Sequence, residues 1–153
     1  MKVIKLIFWL AICQLPAGAG AYFVRGNMGW YDSLVAPPLT PPDALFGIVW
    51  AILYFLLGIA AFLALFDFPQ AKTRTAAWLF FIQLALNSCW TPVFFGQQNL
   101  AGALFLILVM LVEGFWLFNA FWRKSRWAGV LLVPYMGWLA FATYLTAGFW
   151  FLN

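Results

Sequence analysis

Three tryptophans, Trp50, Trp90 and Trp138, and two amides, Gln83 and Asn87, lie deep within long apolar runs of this 153-residue chain. Indole faces stack on flat aromatic molecules, whereas a buried amide must be paired with another helix, a water or a ligand. Phe46, Trp50 and Tyr54 recur at helical spacing, and so do Gln83, Asn87 and Trp90, so each triplet shares one helix face. The chemistry this supports is the binding of a flat, hydrophobic molecule through few polar anchors. The sequence contains no histidine, which removes imidazole from any acid–base scheme and the commonest axial ligand from any haem-binding scheme. No general acid, base or nucleophile accompanies these residues, which argues against hydrolytic or transfer chemistry. Glu113 is the only acid inside an apolar run, and either a structural or a proton-coupled role accounts for it.

The elements that must position these residues follow from composition. The chain is 67% hydrophobic and 8% charged, too apolar for a soluble domain to cover its surface. It reads as an integral membrane protein. A crossing takes roughly 20 apolar helical residues, and the runs divide into five spans at about 3–24, 44–66, 76–95, 100–122 and 127–151. They are apolar on every face rather than alternating, which selects helices over barrel strands. The expected fold is an all-α bundle of five transmembrane helices in one domain, 1–153, with a proline-rich loop between the first two. The first run follows Lys2 and Lys5 and resembles a secretion signal, but it continues through Ala21, Tyr22, Phe23 and Val24, so an uncleaved span is expected. Cys13 and Cys89 fall within spans and, with no histidine nearby, suggest free thiols and no metal site.

Seven of the eight basic residues, Lys2, Lys5, Lys72, Arg74, Arg123, Lys124 and Arg126, fall on one side of a five-span arrangement, and Arg25 stands alone on the other. By the positive-inside rule the N-terminus is expected in the cytoplasm and the C-terminus outside. This bias accounts for the net charge of +4, so nucleic acid is not an expected partner.

With that orientation the outer halves of the spans differ in content. Span one offers Pro16, Ala17, Gly18, Ala19, Gly20 and Ala21; span five offers Ala140, Ala142, Thr143, Thr146, Ala147 and Gly148. Such small residues either let helices approach closely or leave volume unfilled. Spans two and three supply large partners at the same depth. Trp30, Trp78, Trp122, Trp127 and Trp150 lie near span ends, as interfacial tryptophans do. Trp50, Trp90 and Trp138 lie roughly 8 Å or more inside at about 1.5 Å per residue. Core packing or a ligand wall explains each alone; their coincidence with Asn87 and a small-residue wall favours a pocket. Above it, Pro37, Pro38, Pro41 and Pro42 hold the chain extended, either as a lid or as a plain stiff loop, with Asp43 expected to cap the second span.

Taken together, Trp30-Tyr31, Leu34, Pro37, Pro41-Pro42, Phe46, Trp50, Leu53, Tyr54, Gln83, Asn87, Trp90, Phe94-Phe95, Pro134-Tyr135, Trp138, Phe141-Ala142 and Leu145 resemble, in order and spacing, the TspO/MBR family of translocator and tryptophan-rich sensory proteins. The resemblance covers essentially the whole chain. It implies a five-helix bundle, often dimeric, in a membrane such as the bacterial inner membrane. The implied ligands are porphyrins such as protoporphyrin IX, haem, sterols and synthetic isoquinoline carboxamides or benzodiazepines, with no required cofactor. It implies ligand-binding roles for Tyr31, Pro41, Trp50, Asn87, Trp90, Trp138 and Ala142. Trp50 and Trp138 resemble the pair that some bacterial members need for light-dependent porphyrin degradation. The chain departs from the family at Ala36 and Leu39, where many members carry a lysine and an aromatic, so the lid is less basic. Nothing basic follows Arg126, which leaves the animal sterol motif unsupported.

Three functions compete at this point: a tetrapyrrole receptor or sensor, a light-dependent porphyrin-degrading activity, and a transporter of porphyrins or sterols. The spans lack the equal repeats and charged, broken helices of coupled secondary transporters.

Overall fold

A backbone amide in hydrocarbon finds no water to bond, so segments as apolar as these close their hydrogen bonds internally as helices. A computed structural model of the chain describes residues 2–66, 68 and 70–153. It contains five helices: α1 (Lys2–Asp32), α2 (Asp43–Ala64), α3 (Arg74–Thr91), α4 (Leu100–Lys124) and α5 (Arg126–Leu152). Each is long and apolar enough to cross a membrane, α3 together with its flanking turns, and no strand occurs among the described residues. α1 packs on α2 and α3, α2 on α5, and α4 on both α3 and α5. The helices therefore close a ring in the order α1, α2, α5, α4, α3.

One end of this ring is filled. Trp9 and Cys13 of α1, Leu57 and Ala61 of α2, Phe80 of α3, Phe121 of α4 and Leu132 of α5 form its buried core. Lys5 donates to the Phe66 carbonyl at 2.7 Å and lies over the Phe66 ring, and the Lys124 ammonium donates to the Lys72 carbonyl. Basic side chains thus tie helix ends together at this base.

The other end carries the α1–α2 loop and is built from irregular pieces. α1 does not stop near Val24 but runs on to Asp32, so Trp30 and Tyr31 are helical rather than part of the loop. The helix kinks at Asn27, whose backbone is non-helical and whose side-chain amide donates to the Phe23 carbonyl at 2.9 Å. At the end of α3, Pro92 has no N–H to continue the ladder. The chain widens into a turn over Pro92–Gly96, and the Gln97 N–H reaches back to the Pro92 carbonyl at 2.8 Å. That turn carries Phe94 and Phe95 toward the ring axis. Asp43 is the first residue of α2 and not its cap: Pro42 occupies the cap position with no side-chain bond, and Asp43 instead sets its charge beside the unpaired first-turn amides. The α3–α4 and α4–α5 connections are capped by side chains, Asn99 accepting from the Gly102 N–H at 2.8 Å and Ser125 from the Ala128 N–H at 3.4 Å.

The proline loop is fastened to the end of α5. The Val35 N–H donates to Asn153 Oδ1 at 2.8 Å, Asn153 Nδ2 donates to the Val35 carbonyl at 3.1 Å, and the Tyr144 hydroxyl donates to the Pro38 carbonyl at 3.0 Å. Within the loop, the Thr40 hydroxyl donates to the Pro37 carbonyl at 2.7 Å, and Leu39 takes a left-handed conformation with φ 67°. Pro37 sits against Gly148, where an added Cβ would meet the Pro37 Cβ at 2.5 Å, so only glycine admits this contact. Replacing Asn153 with Ala is expected to speed amide hydrogen exchange over Val35–Thr40 about tenfold, since hydrogen bonds worth about 1 kcal/mol each are lost. Exchange rates at Ala60 and Ala61, in the filled base, should stay unchanged.

Candidate functional site

Between the filled base and the fastened loop the ring encloses a cavity of about 450 Å³. This size falls within the range of small-molecule sites. The α1 wall is made of small side chains, Pro16, Ala17, Gly20 and Ala21, continuing up the same face through Val24, Arg25, Met28 and Tyr31. α1 approaches α3 so closely here that a methyl group on Gly20 would lie 3.2 Å from Thr91 Oγ1. The two helices that flank α1 carry the large side chains, Phe46, Trp50 and Tyr54 on α2, then Asn87 and Trp90 on α3 with Phe94 and Phe95 beyond. α5 contributes Ala142, Leu145, Thr146 and Phe149, and α4 contributes Ile107 and Met110. Small residues on α1 and α5 therefore share one cavity with large aromatics on α2 and α3, the combination expected from the sequence.

The aromatic wall is held rigidly. Trp50 stacks on Tyr54 with centroids 5.4 Å apart and an interplanar angle of 28°, and meets Tyr135 edge-on at 6.4 Å. Trp90 stacks on Phe94 at 4.9 Å and 23°, while its Nε1 donates to the Ala103 carbonyl of α4 at 3.1 Å. An indole whose N–H is already committed offers its face, not its edge, to a ligand.

The floor is a buried polar network. Tyr54 donates its hydroxyl to Asn87 Oδ1 at 3.1 Å. Asn87 Nδ2 donates to the Gln83 carbonyl and to the Tyr135 hydroxyl, both at 2.8 Å, and Gln83 Nε2 donates to the same hydroxyl at 2.6 Å. Both amides are thus paired across helices, and Asn87 is at once a member of this network and part of the cavity lining. Gln83 Oε1 and both Glu113 carboxyl oxygens are buried with no hydrogen-bond partner among the described residues. Glu113 lies one turn from Met110 toward the base.

Of the residues singled out from sequence, Tyr31, Trp50, Asn87, Trp90 and Ala142 line the cavity, and Pro41 and Trp138 do not. Pro41 lies in the loop, partly buried. Trp138 packs edge-on against Phe46 at 5.8 Å and beside Phe141, one ring behind the lining, with its Nε1 buried and unpartnered among the described residues. Sequence reasoning missed Tyr135 as the hub of the floor and Arg25, Met28 and Phe149 as lining residues. The signal for Arg25 and Met28 was the three- and four-residue spacing from Ala17, Ala21 and Val24, which in the sequence extends through them to Tyr31. Cys13 is buried, Cys89 is exposed on the bundle surface, and both are free thiols. Among the described residues no group of three or more His, Cys, Asp or Glu side chains comes together.

The chain matches the TspO/MBR family over residues 9–151. It is 41% identical over 141 residues to the tryptophan-rich sensory protein of Cereibacter sphaeroides, covering 88% of this chain and 82% of that one. It is 34% identical over 154 residues to the tryptophan-rich protein TspO of Archaeoglobus fulgidus, covering 100% and 99%. With the human translocator protein it shares 36% identity over 141 residues, 90% of this chain and 83% of the other.

Removing the phenol oxygen at the hub leaves the Gln83 donor without its partner and Asn87 with one fewer acceptor. Tyr135→Phe is expected to destabilise the bundle by about 1–2 kcal/mol, the scale of stranding buried polar groups between helices in a membrane protein. Thermal unfolding in detergent measures this, with Cys13 labelling as a readout of base opening.

Proposed function

The chain belongs to the TspO/MBR family of integral, multi-pass membrane proteins, and from that premise we propose that it is a receptor or sensor for flat hydrophobic ligands held in the cavity beneath the α1–α2 loop. Tetrapyrroles such as protoporphyrin IX and haem are the first class; sterols and isoquinoline carboxamides share the required shape. The observation that carries this reading is the cavity itself: the rings of Trp50 and Trp90, on the two helices that flank α1, line it together with the small side chains of α1, and Asn87 is one polar anchor at the floor. Such a site rewards area and flatness more than any particular hydrogen-bond pattern. No cofactor is needed for binding.

Two features of the bundle favour a receptor over the alternatives. The core around Phe80, Phe121 and Leu132 fills the ring below the cavity, which argues against a through-pathway for a transported ligand. Light-dependent breakdown of a bound porphyrin by dioxygen would call on both Trp50 and Trp138, and only Trp50 meets the cavity. The seven basic residues gathered at the base support a cytoplasmic N-terminus, with the loop and cavity on the outer side of the membrane, the inner membrane if the host is bacterial. A homodimer is consistent with the family and would leave the cavity within each chain.

Titration of protoporphyrin IX in the dark, followed by intrinsic fluorescence, tests the reading. Saturable quenching is expected, and Ala142→Phe, which fills the lining from α5, should weaken it by about tenfold or more, as overfilling a matched site does. Absence of saturable quenching in the unaltered protein would overturn the proposal.

A further inference from the structure

Arg25 is the only lysine or arginine between Lys5 and Lys72, and none occurs between Arg74 and Arg123 or after Arg126. It is therefore the sole basic side chain at the loop end of the bundle. Its position on α1 follows the cavity-facing stripe, four residues after Ala21 and three before Met28, and both of those neighbours line the cavity with it. The kink at Asn27 comes two residues later, Met28 and Tyr31 beyond it also line the cavity, and Arg25 is both lining and exposed, which puts it at the rim. No hydrogen bond or ion pair joins its guanidinium to another described residue. A guanidinium presents five donors in a planar fork that matches a carboxylate, so an unengaged one at the rim of an apolar slot is a ready anion anchor.

The only acid in the lining, Asp43, stands on the neighbouring helix, at the first turn of α2, where the helix amides favour its negative charge. No hydrogen bond or ion pair joins it to a described residue, though its charge acts on the Tyr31 phenol of α1. The rim is thus polarised, cationic on the α1 side and anionic on the α2 side. The loop above adds no cation, because the residue before Pro37 is Ala36.

We propose that Arg25 is the specificity-determining residue of the cavity, binding a carboxylate at the edge of a ligand whose flat apolar body lies against α1 and the Trp50 and Trp90 rings. The proposal rests on the cavity reading above and names what that reading leaves open, the charge class of the ligand. Asp43 then fixes the ligand's direction, repelling the carboxylate from the α2 side. A neutral molecule of the same shape fills the slot without the anchor, so the chain discriminates acids from their esters. A lipid phosphate offers the same oxyanion chemistry, and an Arg25 occupied by phosphate would give no such discrimination.

The test compares protoporphyrin IX with its dimethyl ester, which keeps the ring and removes both charges, by dark titration of the full chain in neutral detergent. Expected results are an acid-over-ester preference of about tenfold in the unaltered protein, lost in Arg25→Gln with ester affinity within about twofold, and partly kept in Arg25→Lys. Asp43→Asn should shift the acid in the opposite sense, toward tighter binding, and leave the ester unmoved. A preference that persists in Arg25→Gln would overturn the proposal, as would parallel loss of both compounds, which marks a packing role. Equal binding of acid and ester by the unaltered protein would overturn it while leaving the cavity reading intact. Binding of neither compound would overturn both.

Discussion

The hydrogen bonds that Gln83 and Asn87 of α3 give to the Tyr135 hydroxyl of α5 are the constraint on which the cavity depends. In a bilayer these amides have no water to turn to, so they fix the distance between two helices that are not neighbours in the ring. Tyr54 joins from α2 through Asn87 Oδ1, and three helices are thereby set at one depth. Below that level the helices meet over Ala60, Ala61, Phe80 and Phe121, all fully buried. Above it the side chains of α1 and α5 shrink to alanine, glycine and threonine, while the helix separation stays what the network dictates. The unfilled volume is the cavity. A polar floor thus serves two ends, holding the bundle open and presenting one amide to whatever enters.

The loop end is closed by contacts of very long range in sequence. Asn153 bonds both backbone groups of Val35, and Tyr144 bonds the Pro38 carbonyl, so the proline segment is anchored to the helix on the far side of the chain. Proline supplies the reason: with four of its amides missing, the segment cannot fold back into helix and must find partners for its remaining carbonyls elsewhere. The widened turn after α3 adds Phe94, whose ring lies against Trp30, Tyr31 and Phe149. The cavity is in this way roofed by aromatics from three helices, beneath a loop held at its tip by side-chain bonds.

Much of this was legible in the residues. Five spans were readable because each run is apolar on every face; the places of Trp50, Asn87 and Trp90 in the lining followed from helical spacing and depth, and that of Ala142 from the small residues of the fifth span and the family resemblance. The features that escaped are those set by partners distant in sequence or by local geometry without a residue signature. Asn153 gives no hint of its bond to Val35. Asp43 has the side chain of a cap, yet Pro42 takes that position because its fixed φ and missing N–H suit the residue before the first turn equally well. The first apolar run reads as ending at Val24, but α1 continues through a kink at Asn27 to Asp32. Trp138 has the spacing of a lining residue relative to Ala142, and its indole instead fills the seam against Phe46. Tyr135, three residues before Trp138, could have been singled out as the only phenol within reach of two buried amides.

What the proposed function requires is a flat ligand inside the cavity, against the small-residue wall of α1 and the Trp50 and Trp90 rings. Ring-current shifts of a bound porphyrin, read by NMR in micelles, test it most directly, because they fall off steeply with distance from the macrocycle. Large shifts are expected at Ala17, Gly20 and Ala142, with none at Ala61 or Ala128 in the filled base. Shifts confined to the lipid-facing residues Ala101 and Val112, with Gly20 and Ala142 unmoved, would contradict the account.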